Sequence, residues 1–138
     1  MIADLCEQYI QLQLKYNRTI SRLCADVLAQ GEDALLLQLL REGRPMLAGE
    51  IVDRLGLTSG RVANIFKRLE EKGLVERLHD EVDRRRVYVT LTEAGAACAR
   101  ERYDVLVACN RAVLESLGEE DARAALRLME KSLRILQD

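Results

Sequence analysis

The chain of 138 residues is long enough for one domain with its own hydrophobic core, although only five aromatic side chains contribute to it. Its net charge is −2. It has a single histidine, and its four cysteines lack CxxC or zinc-finger spacing, which argues against a zinc site, so we expect neither metal nor cofactor. No apolar run is long enough to cross a bilayer and the first residues lack the basic start of a secretory signal, which predicts a soluble, cytoplasmic protein without a membrane partner.

The first predicted elements are two helices. Apolar residues spaced three and four apart predict a long helix that ends before Gly31: Ile2, Leu5, Tyr9, Leu12, Tyr16, Ile20, Leu23 and Val27. The stretch EDALLLQLLREG predicts a short helix closed by Gly43. The apolar stripe of the long helix can pack within one chain or against a second copy. We favour the second copy, because so small a domain offers this stripe no obvious partner.

Two closely spaced helical patterns follow. MLAGEIVDRLG predicts a helix that stops at Gly56, and TSGRVANIFKRLEEKG predicts another that begins at Thr58 or Ser59 and ends near Gly73. Two helices joined by so tight a turn are typical of a helix-turn-helix. The segments LVERL and VYVTL then predict two strands of a hairpin, with HDEVDR at its tip.

Two more helices complete the pattern. Thr92 is placed to cap a helix that runs to about Leu117, and residues 119–136 predict the last helix, after Gly118. Both helices carry apolar residues at alternating spacings of three and four: Leu106, Cys109, Val113 and Leu117 in one, and Ala122, Leu126, Met129, Leu133 and Leu136 in the other. The predicted fold class is therefore mainly α with a small β-hairpin, in which striped helices flank a helix-turn-helix.

Positive charge is concentrated in the middle of the chain. Residues 58–90 carry eight basic and six acidic side chains, whereas the segments before and after them each have a net charge of −2. A basic face can bind nucleic acid even when the whole protein is slightly acidic.

The second helix of the close pair divides into an apolar and a polar face. Val62, Ile65, Phe66 and Leu69 share the face that is predicted to pack inward. The other face and the helix start carry residue types that read bases in a major groove or hold phosphates: Ser59, Gly60, Arg61, Asn64, Lys67 and Arg68. These six residues are predicted to bind DNA; the alternative is a polar face that contacts only water.

Three adjacent arginines, Arg84, Arg85 and Arg86, precede the second strand of the hairpin. Asp83 and Arg85 are two residues apart, so on an extended chain the carboxylate lies on the same side as the guanidinium and can orient it. An arginine held out from a hairpin tip suits the narrow, strongly negative minor groove of DNA. All four residues are therefore predicted to belong to the DNA-binding surface.

Residues 57–95 resemble the signature of MarR-type winged-helix regulators. In that family the recognition helix runs into L-E-x-K-G-L-V-x-R, the wing contains D-x-R, and L-T-x-x-G follows. The matching residues here are Leu69, Glu70, Lys72, Gly73, Leu74, Val75, Arg77, Asp83, Arg85, Leu91, Thr92 and Gly95. Gly60, Arg61 and Asn64 depart from the residues common in the family, so the resemblance does not define the operator sequence.

The resemblance implies a winged helix-turn-helix domain at 31–95 between dimerisation helices at 1–30 and 96–138. It implies a homodimer that binds a pseudo-palindromic operator in double-stranded DNA, usually as a repressor relieved by a small-molecule or redox signal. By position, Arg85 is the wing residue that enters the minor groove, and Asp83 is its orienting partner.

Two rival classes of function differ from this interpretation. An enzyme is disfavoured, because no G-x-S-x-G, H-E-x-x-H, P-loop or Rossmann fingerprint occurs and the lone His79 lies in the hairpin. A winged helix that serves only as a protein-interaction module, without specific DNA binding, is the other alternative. A steep salt dependence of DNA binding would exclude it.

Cys6 is a candidate redox sensor. Some members of the family that sense organic peroxides keep a reactive cysteine on the first helix near tyrosine hydroxyls, and LCEQYI loosely resembles that arrangement. A sensor thiol needs access to solvent and a stabilised thiolate, and a helix N-terminus supplies part of the second. The other three cysteines, Cys24, Cys98 and Cys109, are expected to be packing residues.

Overall fold

The structure, a computed structural model, describes residues 1–23 and 31–137. Its elements in chain order are α1 (Ile2–Leu23), α2 (Glu32–Glu42), β1 (Met46–Leu47), α3 (Ala48–Leu55), α4 (Ser59–Glu71), β2 (Val75–His79), β3 (Val87–Leu91), α5 (Glu93–Leu117) and α6 (Glu119–Gln137). The chain divides into two compact units, Met1–Tyr103 and Asp104–Asp138. The end of the predicted first helix, with Cys24 and Val27, lies outside the described residues.

The predicted helix ends are confirmed at two glycines. Gly43 after α2 has φ 64° and Gly56 after α3 has φ 63°, and the N–H of each donates to a carbonyl of the preceding turn. A side chain rarely adopts this left-handed conformation, so glycine is the residue that lets the chain leave the helix there. The helix-turn-helix predicted from the sequence is therefore formed by α3 and α4.

The sheet has one more strand than predicted. It is antiparallel with the order β1-β3-β2; β2 pairs with β3 from Val75↔Leu91 to His79↔Val87, which confirms the hairpin. Met46 and Leu47 were expected at the start of the α3 helix, and this was wrong, because they pair with Val89 and Tyr88 instead. Met46 is fully buried. Its apolar side chain fits a buried strand as well as a buried helix, so periodicity alone could not separate the two.

The hydrophobic core lies in the first unit and joins α2, α3, α4 and the start of α5 to the sheet. Its buried members come from α2, β1, α3, α4, the two longer strands and the start of α5: Leu35, Leu36, Leu39, Met46, Ile51, Val62, Ile65, Phe66, Leu69, Val75, Val89 and Ala99. Cys98 packs against this cluster, as expected for a packing cysteine. The four apolar residues of α4 are all in the core, so the inward face predicted for this helix is confirmed.

Thr92 connects the start of α5 by hydrogen bonds to the segment that follows α4. Its hydroxyl accepts from the N–H of Gly95 at 3.0 Å, which confirms the predicted cap, and donates to the carbonyl of Gly73 at 2.6 Å. The N–H of Thr92 also donates to the carbonyl of Leu74 at 3.1 Å. The L-T-x-x-G motif thus ties the residues that follow α4 to the residues that begin α5.

The second unit consists of the later part of α5 and of α6. Gly118, with φ 81°, separates the two helices, and its N–H donates to the carbonyl of Leu114 at 3.2 Å. No described residue of α6 is buried. Within residues 1–23 and 31–137, no helix is both long and apolar enough to cross a membrane.

Candidate nucleic-acid interface

Helix α4 starts at a side-chain cap. The sequence left Thr58 and Ser59 as alternatives, and the structure assigns the cap to Thr58, whose hydroxyl oxygen accepts from the N–H of Arg61 at 3.2 Å. Ser59 is the first residue of the helix. The N-terminus of α4 therefore presents backbone N–H groups beside the exposed hydroxyl of Ser59, which is a suitable arrangement for holding a phosphate.

The polar face of α4 opposes the core. Ser59, Gly60, Arg61, Asn64 and Lys67 are all exposed, whereas Val62, Ile65 and Phe66 between them are buried. Side chains that can pair with guanine and adenine thus stand on the solvent side of a helix whose rear face is fixed by packing. The structure brings five of the six predicted helix residues onto one exposed surface.

The sixth predicted residue, Arg68, lies differently. Its Nε donates to Oε1 of Glu32 at 2.9 Å, and Nζ of Lys72 lies 2.6 Å from Oε2 of the same carboxylate. The hydrogen bonds from Lys72 and Arg68 lower the pKa of Glu32, against an opposing effect of burial. Glu32 therefore holds the C-terminal half of α4 against α2. The Arg68 side chain is half-exposed and ion-paired with Glu32. Its role in DNA binding stays a prediction.

The wing carries an oriented arginine. Oδ1 of Asp83 accepts from Nε of Arg85 at 3.2 Å and from its backbone N–H at 3.1 Å. The Arg85 side chain is 92% exposed, whereas that of Asp83 is 39% exposed. The predicted contact is present, but the extended chain from which it was predicted is not, because Arg84 and Arg85 form a turn closed by the hydrogen bond from the N–H of Arg86 to the carbonyl of Asp83. An exposed guanidinium held by a carboxylate on its own hairpin retains most of its donors for a partner.

The wing tip is closed by hydrogen bonds from its own backbone. Oδ1 of Asp80 accepts from the N–H of Val82 at 2.9 Å and of Asp83 at 3.4 Å, and these bonds lower the pKa of Asp80. The backbone N–H of Asp80 donates to the carbonyl of Arg86 at 3.1 Å. Sequence reasoning gave Asp80 no role, although an aspartate at the start of a tight turn is a recognisable signal for such bonds.

The other two wing arginines are exposed. The guanidinium carbon of Arg86 lies 5.8 Å from the centre of the Tyr88 ring, within the range of a weak cation–π contact. Arg84 is the sequence neighbour of Arg85. Among the described residues, no contact between Arg84 and a carboxylate is seen. Arg85 is thus the wing arginine with a fixed orientation.

Sequence reasoning missed one residue that links the wing to the helix. Arg77 of β2 donates from Nε to Oε2 of Glu70 at 3.1 Å, and its guanidinium carbon lies 4.6 Å from the centre of the Phe66 ring. Both partners belong to α4. The family signature includes Arg77 and Glu70, but nothing in a linear motif states that the two residues touch.

Within the described part of the chain, no cluster of three metal-ligating side chains is present.

The chain is similar to known winged-helix proteins. Residues 30–95 match the family described as a winged helix DNA-binding domain. Two Bacillus subtilis proteins are similar in sequence. The uncharacterised HTH-type transcriptional regulator YcgE is 29% identical over 100 residues, which are 72% of this chain and 65% of that protein. The organic hydroperoxide resistance transcriptional regulator is 35% identical over 71 residues, which are 51% of this chain and 48% of that protein. The chain thus spans about half to two-thirds of the length of these relatives.

A solved structure shows the same fold. A cysteine-to-serine mutant of MarR from Escherichia coli, crystallised with operator DNA, superposes with a TM-score of 0.71, is 22% identical and covers 96% of this chain and 95% of that chain. The helix order, the three-stranded sheet and the signature in α4 and the wing agree with these similarities. Together they support a winged helix-turn-helix transcriptional regulator of the MarR type.

Proposed function

We propose that the protein is a homodimeric transcriptional regulator that binds a specific site in double-stranded DNA through α4 and the wing. The observation that carries the proposal is the pairing of two exposed DNA-reading elements in one compact unit. Arg61 and Asn64 project from a helix anchored in the core, and Arg85 is held outward by Asp83. The E. coli MarR mutant was crystallised with operator DNA, which supports the same use of the fold here.

The dimer is supported by apolar side chains that the single chain leaves exposed. On α1, the residues at helical spacing are between 53% and 72% exposed: Ile2, Leu5, Tyr9, Leu12 and Tyr16. On α6, the corresponding residues are between 53% and 82% exposed: Leu126, Met129, Leu133 and Leu136. Faces this apolar are normally covered in solution, and a second copy offers the same faces in return. We propose 1–30 and 96–138 as the dimerising segments and 31–95 as the DNA-binding domain.

A dimer with two winged domains suits a pseudo-palindromic site whose half-sites are centred about one helical turn, roughly 10 base pairs, apart. We further propose that DNA binding represses transcription in the cytoplasm and that a small molecule or an oxidant relieves it. This last step rests on the family and on the exposed thiol of Cys6.

The test is a binding titration with a duplex that the wild-type protein selects from a randomised library. Arg61→Ala and Asn64→Ala should each lose about 1–3 kcal/mol of discrimination between the selected duplex and a scrambled one. Lys67→Ala should weaken both duplexes alike and flatten the salt dependence, since a phosphate contact carries no sequence information. Arg41→Ala, an exposed arginine at the end of α2, is the matched control and should bind like the wild type.

If the wild type selects no duplex and shows no steep salt dependence, the protein-interaction alternative is favoured and the DNA-binding proposal is wrong. If Arg61→Ala and Asn64→Ala leave both affinity and sequence preference unchanged, the helix assigned to the major groove is wrong.

A further inference from the structure

A single guanidinium from β2 makes two different contacts with α4, the proposed recognition helix. Arg77, in the middle of β2, ion-pairs with Glu70 at 3.1 Å and lies over the ring of Phe66 at 4.6 Å. Glu70 and Phe66 are four residues apart and so occupy neighbouring turns on one side of α4. Arg77 therefore contacts the recognition helix along a full turn.

The two partners of Arg77 provide anchors of different kinds. Phe66 is only 7% exposed and belongs to the core, so its ring is a fixed platform. Glu70 is exposed, and its side chain keeps 40% of its accessible surface beside an Arg77 side chain that keeps 50%. A planar guanidinium can stack on a ring and donate to a carboxylate at the same time, whereas an ammonium cannot make both contacts with this geometry. The residue type at position 77 is thus matched to both partners.

On the sheet side, Arg77 pairs with the strand that directly follows the wing arginines. It pairs with Val89 of β3, and the chain before this strand contains Arg85. A displacement of β2 against α4 therefore moves the wing tip relative to the exposed face of α4.

Packing between α4 and the sheet is incomplete beside Arg77. A partly open pocket of about 240 Å³ is lined by residues of α2, α3, α4, β2 and β3, among them Ile51, Val62, Phe66, Arg77 and Val89. Side chains that face this pocket lack packing contacts on that side, so packing alone constrains the spacing of these elements less than a fully filled core would. The polar and cation–π contacts of Arg77 span the same junction.

We infer that Arg77 is a positioning residue that fixes the wing relative to the recognition helix, so that Arg85 and the exposed face of α4 engage one DNA site together. The inference rests on the proposed DNA-binding function. The competing explanation is that Arg77, being half-exposed, contacts a DNA phosphate itself. A half-exposed ion pair contributes little to folding stability, so a role in positioning predicts losses of DNA affinity that exceed any loss of stability.

The experiment compares Arg77→Met, Arg77→Lys and Glu70→Gln with the wild type. Each is titrated with the duplex selected by the wild type and with a scrambled duplex, and thermal unfolding is measured in parallel. The matched control is Glu50→Gln, which breaks the 2.9 Å ion pair with Arg44, a contact that does not involve α4. This control should bind both duplexes like the wild type.

Glu70→Gln decides between the two explanations by the sign of its effect. It removes a negative charge beside Arg77, so a direct phosphate contact predicts tighter binding to both duplexes. Positioning predicts weaker binding, by about three- to tenfold on the selected duplex, with little change on the scrambled one. Arg77→Met should lose at least as much, and Arg77→Lys should recover part of the loss because it keeps the ion pair.

A second readout uses the wing. If Arg77 acts through the placement of Arg85, then Arg77→Met should weaken binding much less in an Arg85→Ala background than in the wild type, whereas independent phosphate contacts should add. Tighter binding by Glu70→Gln, additive losses, or unchanged affinity for the selected duplex in both Arg77→Met and Glu70→Gln would overturn the inference. If Arg77→Met does not fold, Arg77→Lys and Glu70→Gln still decide it. A wild type that selects no duplex contradicts the proposed function instead.

Discussion

Gly95 lies against the backbone of Leu74: a Cβ atom at position 95 would stand 1.8 Å from the Leu74 carbonyl oxygen. The same oxygen accepts the N–H of Thr92, so it cannot move away without breaking that bond. Only glycine fits where α5 crosses the segment that follows the recognition helix. This contact gives a physical reason for the last glycine of the L-T-x-x-G motif.

Gly95→Ala should therefore destabilise the protein by about 1–3 kcal/mol or more, because backbone rather than a flexible side chain must yield. Gly49→Ala is the matched control: it lies in α3 with no atom within 4 Å of an added Cβ. Gly49 lies in the first turn of α3, where alanine should leave stability unchanged or raise it by about 0.4–1 kcal/mol. Denaturant unfolding measures both. Equal stabilities of the two variants would contradict the steric argument.

The wing gives a prediction whose sign differs from simple electrostatics. Asp83→Ala removes a negative charge near the proposed DNA site, yet it should weaken binding because it releases the Arg85 side chain from its orienting carboxylate. Arg85→Ala should cost more affinity than Arg84→Ala, the matched control one residue away. Anisotropy titrations with the selected duplex measure all three. Tighter binding by Asp83→Ala would refute the orienting role.

Sedimentation tests the proposed dimer. Leu126→Glu combined with Leu133→Glu should leave a monomer that binds no DNA, or an unfolded chain, because charges cannot be buried in an apolar interface without partners. These leucines are 53% and 55% exposed in the single chain, so little core packing is lost. Lys131→Glu on the same helix is the matched control and should remain dimeric. A wild-type protein that sediments as a monomer at micromolar concentration would contradict the proposal.

The ion pairs of Glu32 predict a pH dependence of stability. Its pKa is lowered by Lys72 and Arg68, so its ionised form is favoured in the folded state. The stabilisation is present above the ordinary glutamate value near 4.5 and is lost as the pH falls through the lower folded-state pKa. Glu32→Gln should therefore be less stable than wild type at pH 7, and the two should converge in acid. Thermal unfolding between pH 3 and about pH 7 measures the difference.

Glu119→Gln is the control for that comparison. It breaks an ion pair with Arg123 whose side chains are 80% and 75% exposed, and exposed pairs contribute little. Its stability should follow the wild type at every pH. A Glu32→Gln variant that keeps a constant difference from wild type down to acid pH would argue against the proposed linkage.

Cys6 is exposed, so an oxidant can reach its thiol. If it is a redox sensor, mild organic peroxide should release the selected duplex from the wild type and not from Cys6→Ser, because only the thiol can be oxidised to a sulfenic acid or disulfide. Cys98→Ser, at a thiol that packs against the core, is the comparison variant and should respond like the wild type. Equal release from wild type and Cys6→Ser, or release from neither, would exclude Cys6.

The local sequence alone determined most of the helix-turn-helix and the hairpin. Gly43 and Gly56 predicted the ends of two helices, and the spacing of Val62, Ile65, Phe66 and Leu69 predicted the buried face of α4. These features depend on backbone conformation and on the period of one helix, so a few neighbouring residues suffice to specify them.

Only the tertiary structure decided which distant residues meet. Met46 lies in a strand because it pairs with Val89 of β3. Glu32 binds Arg68 and Lys72, which are 36 and 40 residues further along the chain. The contact between Arg77 and Glu70 likewise appears only when β2 folds back on α4. Such pairings depend on how the elements pack. No local pattern of charge or hydrophobicity predicts which arginine will contact which carboxylate.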